Sequence, residues 1–159
     1  MSSSARKHFA NLASEVHHVL ALWAAACAEH TLHLFEDQYP EDPRPRLALV
    51  ALRAWVRGEQ TMTQCRTAAF AAHAAARVAT NPAAVAAARA AGQAAATAHT
   101  YAHAPHAAAY AAKAAAQAVA PVQGAATREN ERAWQRRQLP GDLHAIGFPR
   151  KTSPSAEAR

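Results

Sequence analysis

Cysteine occurs only twice in the 159 residues, at Cys27 and Cys65. That is too few for a disulfide scaffold, and the two lack the paired spacing of a metal box. Both fall within helical patterns and read as small buried hydrophobes. Cys27 stands near Glu29 and His30, but a thiol on an apolar stripe has its pKa raised, the wrong direction for a nucleophile. Long hydrophobic runs are missing as well: no segment approaches the ~18 apolar residues of a membrane span. The opening MSSSARKHFANLASEVHH has no apolar centre of the kind that marks a secretion signal. A soluble cytoplasmic protein with no membrane partner is expected.

Acidic residues are absent between Glu59 and Glu129. That region carries Arg66, Arg77, Arg89 and Lys113 with His73, His99, His103 and His106, so its polar surface is cationic or neutral. The whole chain has a formal net charge of +6 and a pI near 10.0, which suits an acidic partner. Nucleic acid is disfavoured, because dedicated binders carry denser Lys/Arg runs with interleaved aromatics. Large side chains are thin after residue 80, so the later helices must gain burial by close approach rather than by bulk.

What is abundant is alanine, which makes up more than half of residues 68–120. Alanine has the highest intrinsic helix propensity, losing no side-chain entropy in a helix. The block therefore predicts closely packed helices, and the chain a single all-α domain: an irregular bundle of six or seven helices arranged as hairpins around an alanine-rich core. Residues 1–14 are expected to be a flexible lead-in, residues 15–140 the helical domain, and residues 141–159 a loop and disordered tail.

Local signals divide the block. Val16, Val19, Leu20, Trp23 and Cys27 form an apolar stripe at helical spacing. Asp42 and Pro43 open a helix that Gly58 closes with a left-handed residue. Thr61 and Gln64 match a capping box, Asn81 and Pro82 end one helix and start another, and Pro105 opens the next, which ends before Pro121. A last helix is expected over residues 128–138. AAFAAHAAARV and AAYAAKAAAQA, 40 residues apart, echo one another, either as a paired-helix repeat of about that period or as shared alanine content alone would produce.

The larger side chains of the alanine helices fall in single file at 4-3-4 spacing: Arg66, Phe70, His73, Arg77 on one, and His106, Tyr110, Lys113, Gln117 on another. On a third, Arg89 and Gly92 lead through Ala96 to His99 and His103. Such spacing puts residues on one helix face. Each file is either a solvated face or one wall of a polar groove. In the second case His73, Arg77, His99, His103, Tyr110 and Lys113 are the candidate binding residues, with Glu29 and Arg53 as outlying candidates. His99 and His103 form an i, i+4 pair that could chelate zinc with His73 or Glu29. Thr100 stands where the glutamate of an H-E-x-x-H site belongs, so zincin chemistry is not indicated. No catalytic constellation is recognised and no cofactor is called for.

LWAAACAEH, DPRPRLA, LRAWVRGE, AAFAAHAAAR, AATAHTYAHAP and ERAWQRRQLP, in that order, resemble the bacterial putative immunity protein family with an immunity-five-like all-helical domain. The resemblance covers roughly residues 18–140, and the W-Q-R-R-x-L-P ending is its most specific part. It implies a binding role, neutralising a cognate protein toxin by occlusion. Two positions depart from the pattern, Ala26 where an acid is expected and Gln93 where a histidine is frequent. Inhibitors of nucleases tend to be acidic, so this basic chain points to a toxin with an acidic surface. The other reading is a histidine-based metal or small-ligand binding protein, a hydrolase included. Self-association as a homo-oligomer stays open.

Overall fold

A computed structural model describes residues 3–150, which form eight α-helices and two 3₁₀ turns with no strand among the described residues. Six helices are long: α1 (Ser3–His30), α3 (Arg44–Val56), α4 (Met62–Val78), α5 (Pro82–Ala96), α6 (Ala104–Gln117) and α7 (Pro121–Gln138). Two more span a single turn, α2 (His33–Glu36) and α8 (His144–Gly147). The 3₁₀ turns, Tyr101–His103 and Gly141–Leu143, lead into α6 and α8.

The central element is α5. Its alanines at positions 83, 84, 86, 87, 88, 90, 91, 94 and 95 are all buried, so the helix is enclosed on almost every side, leaving only Val85, Arg89, Gln93 and Ala96 partly open between its ends. A helix apolar all round must lie within a core. Here α4 and α6 pack along opposite flanks of α5, while α1, α2 and α3 cover the rest, and α7 lies on α6. Small side chains allow that crowding, since methyl groups let backbones approach where larger groups would hold them apart.

Helix ends follow the sequence signals closely. Thr61 accepts from the Gln64 N–H at 3.2 Å and donates its own N–H to the Gln64 side chain at 2.7 Å, completing the capping box. Asn81 accepts from the Ala84 N–H at 3.1 Å. Asp42 accepts from the Arg44 N–H at 3.2 Å. Gly58, with φ +75°, lets its N–H reach the Trp55 carbonyl and that of Glu59 reach the Ala54 carbonyl, both at 2.9 Å. This paired closure needs a left-handed residue at position 58.

Four differences from expectation have physical reasons. α1 begins at Ser3 rather than near residue 15; residues 10–15 are exposed, so they extend the helix without adding to the apolar stripe. Val19 is exposed while Leu20, Trp23 and Cys27 are buried, because position 19 lies about 100° round the helix from position 20. α7 starts at Pro121, seven residues before the expected 128: Pro121 ends α6 and also serves as the first residue of α7, where its missing N–H costs nothing. Residues 141–148 dock on the body through Leu143, Ile146 and Phe148, which pack against the core. Of the expected flexible lead-in at residues 1–14 and disordered tail within residues 141–159, Met1, Ser2 and residues 151–159 lie outside the described residues.

Candidate functional site

The files on α4 and on the α5 end face one another. Arg66, Phe70 and His73 on α4, Gln93 and Ala96 on α5, and His99 and His103 beyond it line a groove of about 280 Å³, with Met62 at one end. Three of the candidates therefore share one site. His73 lies against Gly92: a Cβ built there would stand 2.6 to 2.8 Å from three atoms of the imidazole. Its Nδ1 is buried and has no hydrogen-bond partner. Burial holds the pKa of His73 below the ordinary value, and the charges of Arg89, Arg77 and His103 push the same way.

His103 is anchored differently. Its Nδ1 lies 2.9 Å from Gln93 Oε1, so Nδ1–H donates to the amide oxygen. Burial lowers its pKa too, with His106 and His99 adding to the effect. Gln93 is thus the orienting partner of a groove histidine. On the rim, the Arg66 guanidinium sits 5.5 Å from the centroid of Phe70, a ring that is 59% exposed.

The other candidates are elsewhere. Tyr110 and Lys113 line a separate hollow of about 300 Å³ on the opposite flank of α5, with Arg89, Thr80 and Gln117. Arg77 continues the α4 file one turn past His73 and is exposed, outside the groove lining. Glu29 and Arg53 pair with each other at 2.6 and 3.2 Å. Arg46 extends that pair to Glu36 at 2.5 and 2.8 Å, making a surface network between α1, α2 and α3. Arg66, Phe70, Met62 and Gln93 join the groove although none is a candidate binding residue on sequence grounds. For Arg66 and Phe70 the signal is the file they share with His73, and Gly92 marks where that file meets α5, since a glycine inside an alanine helix costs roughly 1 kcal/mol unless something must approach closely.

Ion pairing sets the arginines on and beside α3 apart from the cations of the later helices. Arg44, Arg46, Arg53 and Arg57 each hold a carboxylate within 4.0 Å. Among the described residues, Arg66, Arg77, Arg89 and Lys113 hold none. The face built from α4, α5 and α6 is therefore cationic and uncompensated. Also among the described residues, no group of three or more His, Cys, Asp or Glu side chains is placed to hold a metal ion, so His73, His99 and His103 share a groove without forming a ligand set. Cys27 and Cys65 are buried; burial pushes the Cys27 thiol far up, and Cys65 Sγ–H donates to the Ala51 carbonyl at 3.3 Å. No helix among the described residues is long and apolar enough to cross a membrane.

The W-Q-R-R-x-L-P segment has a packing role. Trp134 stacks on His30 with ring centroids 3.8 Å apart. Gln135 is fully buried; its Nε2 donates to the Ala108 carbonyl at 2.9 Å and to Glu131 at 3.1 Å, and its backbone carbonyl accepts from Trp23 Nε1 at 2.8 Å. His30 Nδ1–H donates to Glu131, itself 6% exposed, at 2.7 Å. The guanidiniums of Arg132 and Arg136 lie 4.5 and 4.3 Å from the ring centroid of Phe148. The motif fastens α7 to α1 and α6.

A family model described as Imm-5 like putative immunity protein matches residues 10–142. Searches of curated proteins and of solved structures gave no match.

Proposed function

The chain belongs to the Imm-5 like putative immunity protein family, and from that membership we propose that it is a protein-binding module that neutralises a cognate bacterial toxin in the cytoplasm by occluding it. The observation that carries the reading is the uncompensated cationic face of α4, α5 and α6 with a groove in its surface. The rim of that groove joins an exposed aromatic, Phe70, to an arginine, Arg66, and aromatic residues and arginine are the types enriched at the centres of protein interfaces. His73, His99 and His103 form its polar lining, and Arg77, Tyr110 and Lys113 widen the surface on either side of α5. Glu29 and Arg53 satisfy each other and would meet a partner only at the edge.

Charge selects among toxins. An inhibitor of a basic nuclease cleft is matched by acidic groups, and this face has none. A toxin with an acidic surface is the better fit.

Co-expression with a toxin candidate, taken from a toxin-bearing reading frame beside this one, tests the proposal. Growth should be restored, and the two chains should elute as one complex. Phe70→Ala and Arg66→Ala should each weaken the complex by about tenfold or more without moving the unfolding midpoint. Restored growth with no complex, or a complex indifferent to both substitutions, would overturn the reading.

A further inference from the structure

We propose that the α4–α5 groove is a carboxylate pocket: it receives an Asp or Glu side chain of the partner between His73 and His103, and His103 gains a proton from solvent as that side chain enters. The inference rests on the binding role proposed above and names what the groove binds.

The two histidines are set up for different parts. His73 has its Nδ1 buried against Gly92 with no partner. A proton there would be an unsatisfied buried donor, which is costly, so the neutral ring keeps its proton on Nε2. Nε2 is not among the buried unpartnered atoms and makes no hydrogen bond with the described residues, which leaves Nε2–H as a donor for a ligand. His103 already spends Nδ1–H on Gln93, leaving the lone pair of Nε2 free. Protonating that nitrogen gives an imidazolium whose two donors are both used once a carboxylate arrives, one by Gln93 and one by the ligand.

The surroundings explain why the proton waits for the ligand. The charged or titratable groups around the pair are Arg66 and Arg77 on α4, Arg89 on α5, His99 after α5 and His106 at the start of α6. All are cationic or neutral, so an empty groove resists a further positive charge. A carboxylate reverses that balance, since an opposite charge within a few ångströms favours the protonated imidazole.

The lining suits a side chain, and the groove, at about 280 Å³, has room for one. Ala69, Ala95, Ala96, Met62 and Phe70 supply apolar walls for the methylenes of the incoming residue. Phosphates of a nucleic acid are the poorer fit, because the cations stand singly along three helices and only isolated aromatics accompany them.

Binding of a dansyl-labelled hexaglutamate peptide, with hexaglutamine and an oligothymidylate as comparators, tests this at fixed ionic strength and at about pH 5.5, 6.5 and 7.5. Hexaglutamate should bind more tightly at each lower pH, by up to about tenfold per unit if one proton is taken up. His103→Gln should abolish that slope, whereas His73→Gln should weaken binding at every pH and keep it. Histidine ring resonances of the unaltered protein, recorded with and without peptide, should show Nε2 of His103 becoming protonated, a readout that does not depend on a variant folding. Affinity independent of pH, a slope that survives His103→Gln, or tighter binding of the oligonucleotide would each overturn the pocket. Failure of the toxin to be neutralised, with peptide binding as expected, would instead remove the immunity reading and leave the pocket standing.

Discussion

The imidazole of His73 rests on the backbone of Gly92, close enough that a methyl group at position 92 would stand 2.6 Å from Cε1 and 2.8 Å from each ring nitrogen. One helix supplies the ring and its neighbour supplies the space for it. Glycine inside α5 costs roughly 0.8–1.0 kcal/mol relative to alanine, and that cost is accepted where the His73 ring comes against the helix.

A double-mutant cycle separates the two terms. Gly92→Ala alone should displace the ring, so that the gain in helix propensity is offset and the net change in stability stays small. In a His73→Ala background the obstacle is gone, and the same substitution should stabilise by about 1 kcal/mol. Urea denaturation of the four proteins measures both. Equal effects of Gly92→Ala in the two backgrounds would mean that the contact carries no coupling.

The distinction between local and distant determinants explains what could be read from the sequence. Caps at Thr61, Asn81 and Gly58 were legible because each acts on backbone groups a few residues away. The 4-3-4 files of α4 and α6 were legible as faces, whereas the third runs off the end of α5 at Ala96, so that His99 and His103 stand on the turn and 3₁₀ segment beyond it rather than as an i, i+4 pair on one helix. Nor does a file say which neighbour it meets. α5 lies between α4 and α6, so the Tyr110–Lys113 file faces one flank of α5 while His73 faces the other, and one expected groove becomes two hollows. The Glu29–Arg53 pair joins residues 24 apart on separate helices, which no periodicity reveals. The start of α7 was hidden for another reason: residues 121–127 carry no apolar stripe, and the anchored C-terminal half of the helix, with Glu131 and Gln135 buried, holds them in register.

Gln135 tests the packing role of the W-Q-R-R-x-L-P segment. Its amide serves the Ala108 carbonyl and the buried carboxylate of Glu131 together. Gln135→Leu keeps the bulk but removes both donors, leaving Glu131 with His30 as its remaining partner. An unsatisfied buried group costs about 1–3 kcal/mol, more when it is charged. A lowered thermal midpoint by that measure is expected, and Glu131→Gln in the same background should recover part of the loss. A Gln135→Leu variant as stable as the parent would show that the network contributes nothing.

Acid and alkali should destabilise the fold through different residues. His73 and His103 titrate below the ordinary imidazole value in the folded chain, chiefly because burial disfavours their charged forms. As pH falls through the unfolded value of 6.5, the unfolded chain takes up protons first, so stability declines from there toward the lower folded values. Glu36 and Asp42, held down by bonds from Arg46 and Arg44, continue the loss below their unfolded values of 4.5 and 3.8. Cys27, pushed up by burial, acts at the other end: its contribution is present below the unfolded thiol value of 9.0 and is lost above it. Urea midpoints measured across pH should therefore be flattest between about pH 6.5 and 9. Replacing both groove histidines with glutamine should remove the first acid step and leave the others. A stability maximum below about pH 6 would contradict this assignment.

The alanine core makes the most demanding prediction about packing. Ala90 is completely buried at the centre of α5, a helix that has neighbours on nearly every side. Leucine has almost the same helix propensity as alanine, so Ala90→Leu changes little except volume. Three added carbon atoms must either force rotamers out of their wells or push a neighbouring helix away, at a cost of about 1–3 kcal/mol. Ala133 is exposed in the body of α7 and provides the matched control, where the same substitution should stay within about 0.5 kcal/mol of the parent. Denaturant midpoints of the two variants decide between the accounts. A large loss at Ala90 with none at Ala133 means that alanine holds the helices together by keeping them close, whereas equal small effects would mean that the core has slack and that alanine is present for its helix propensity alone.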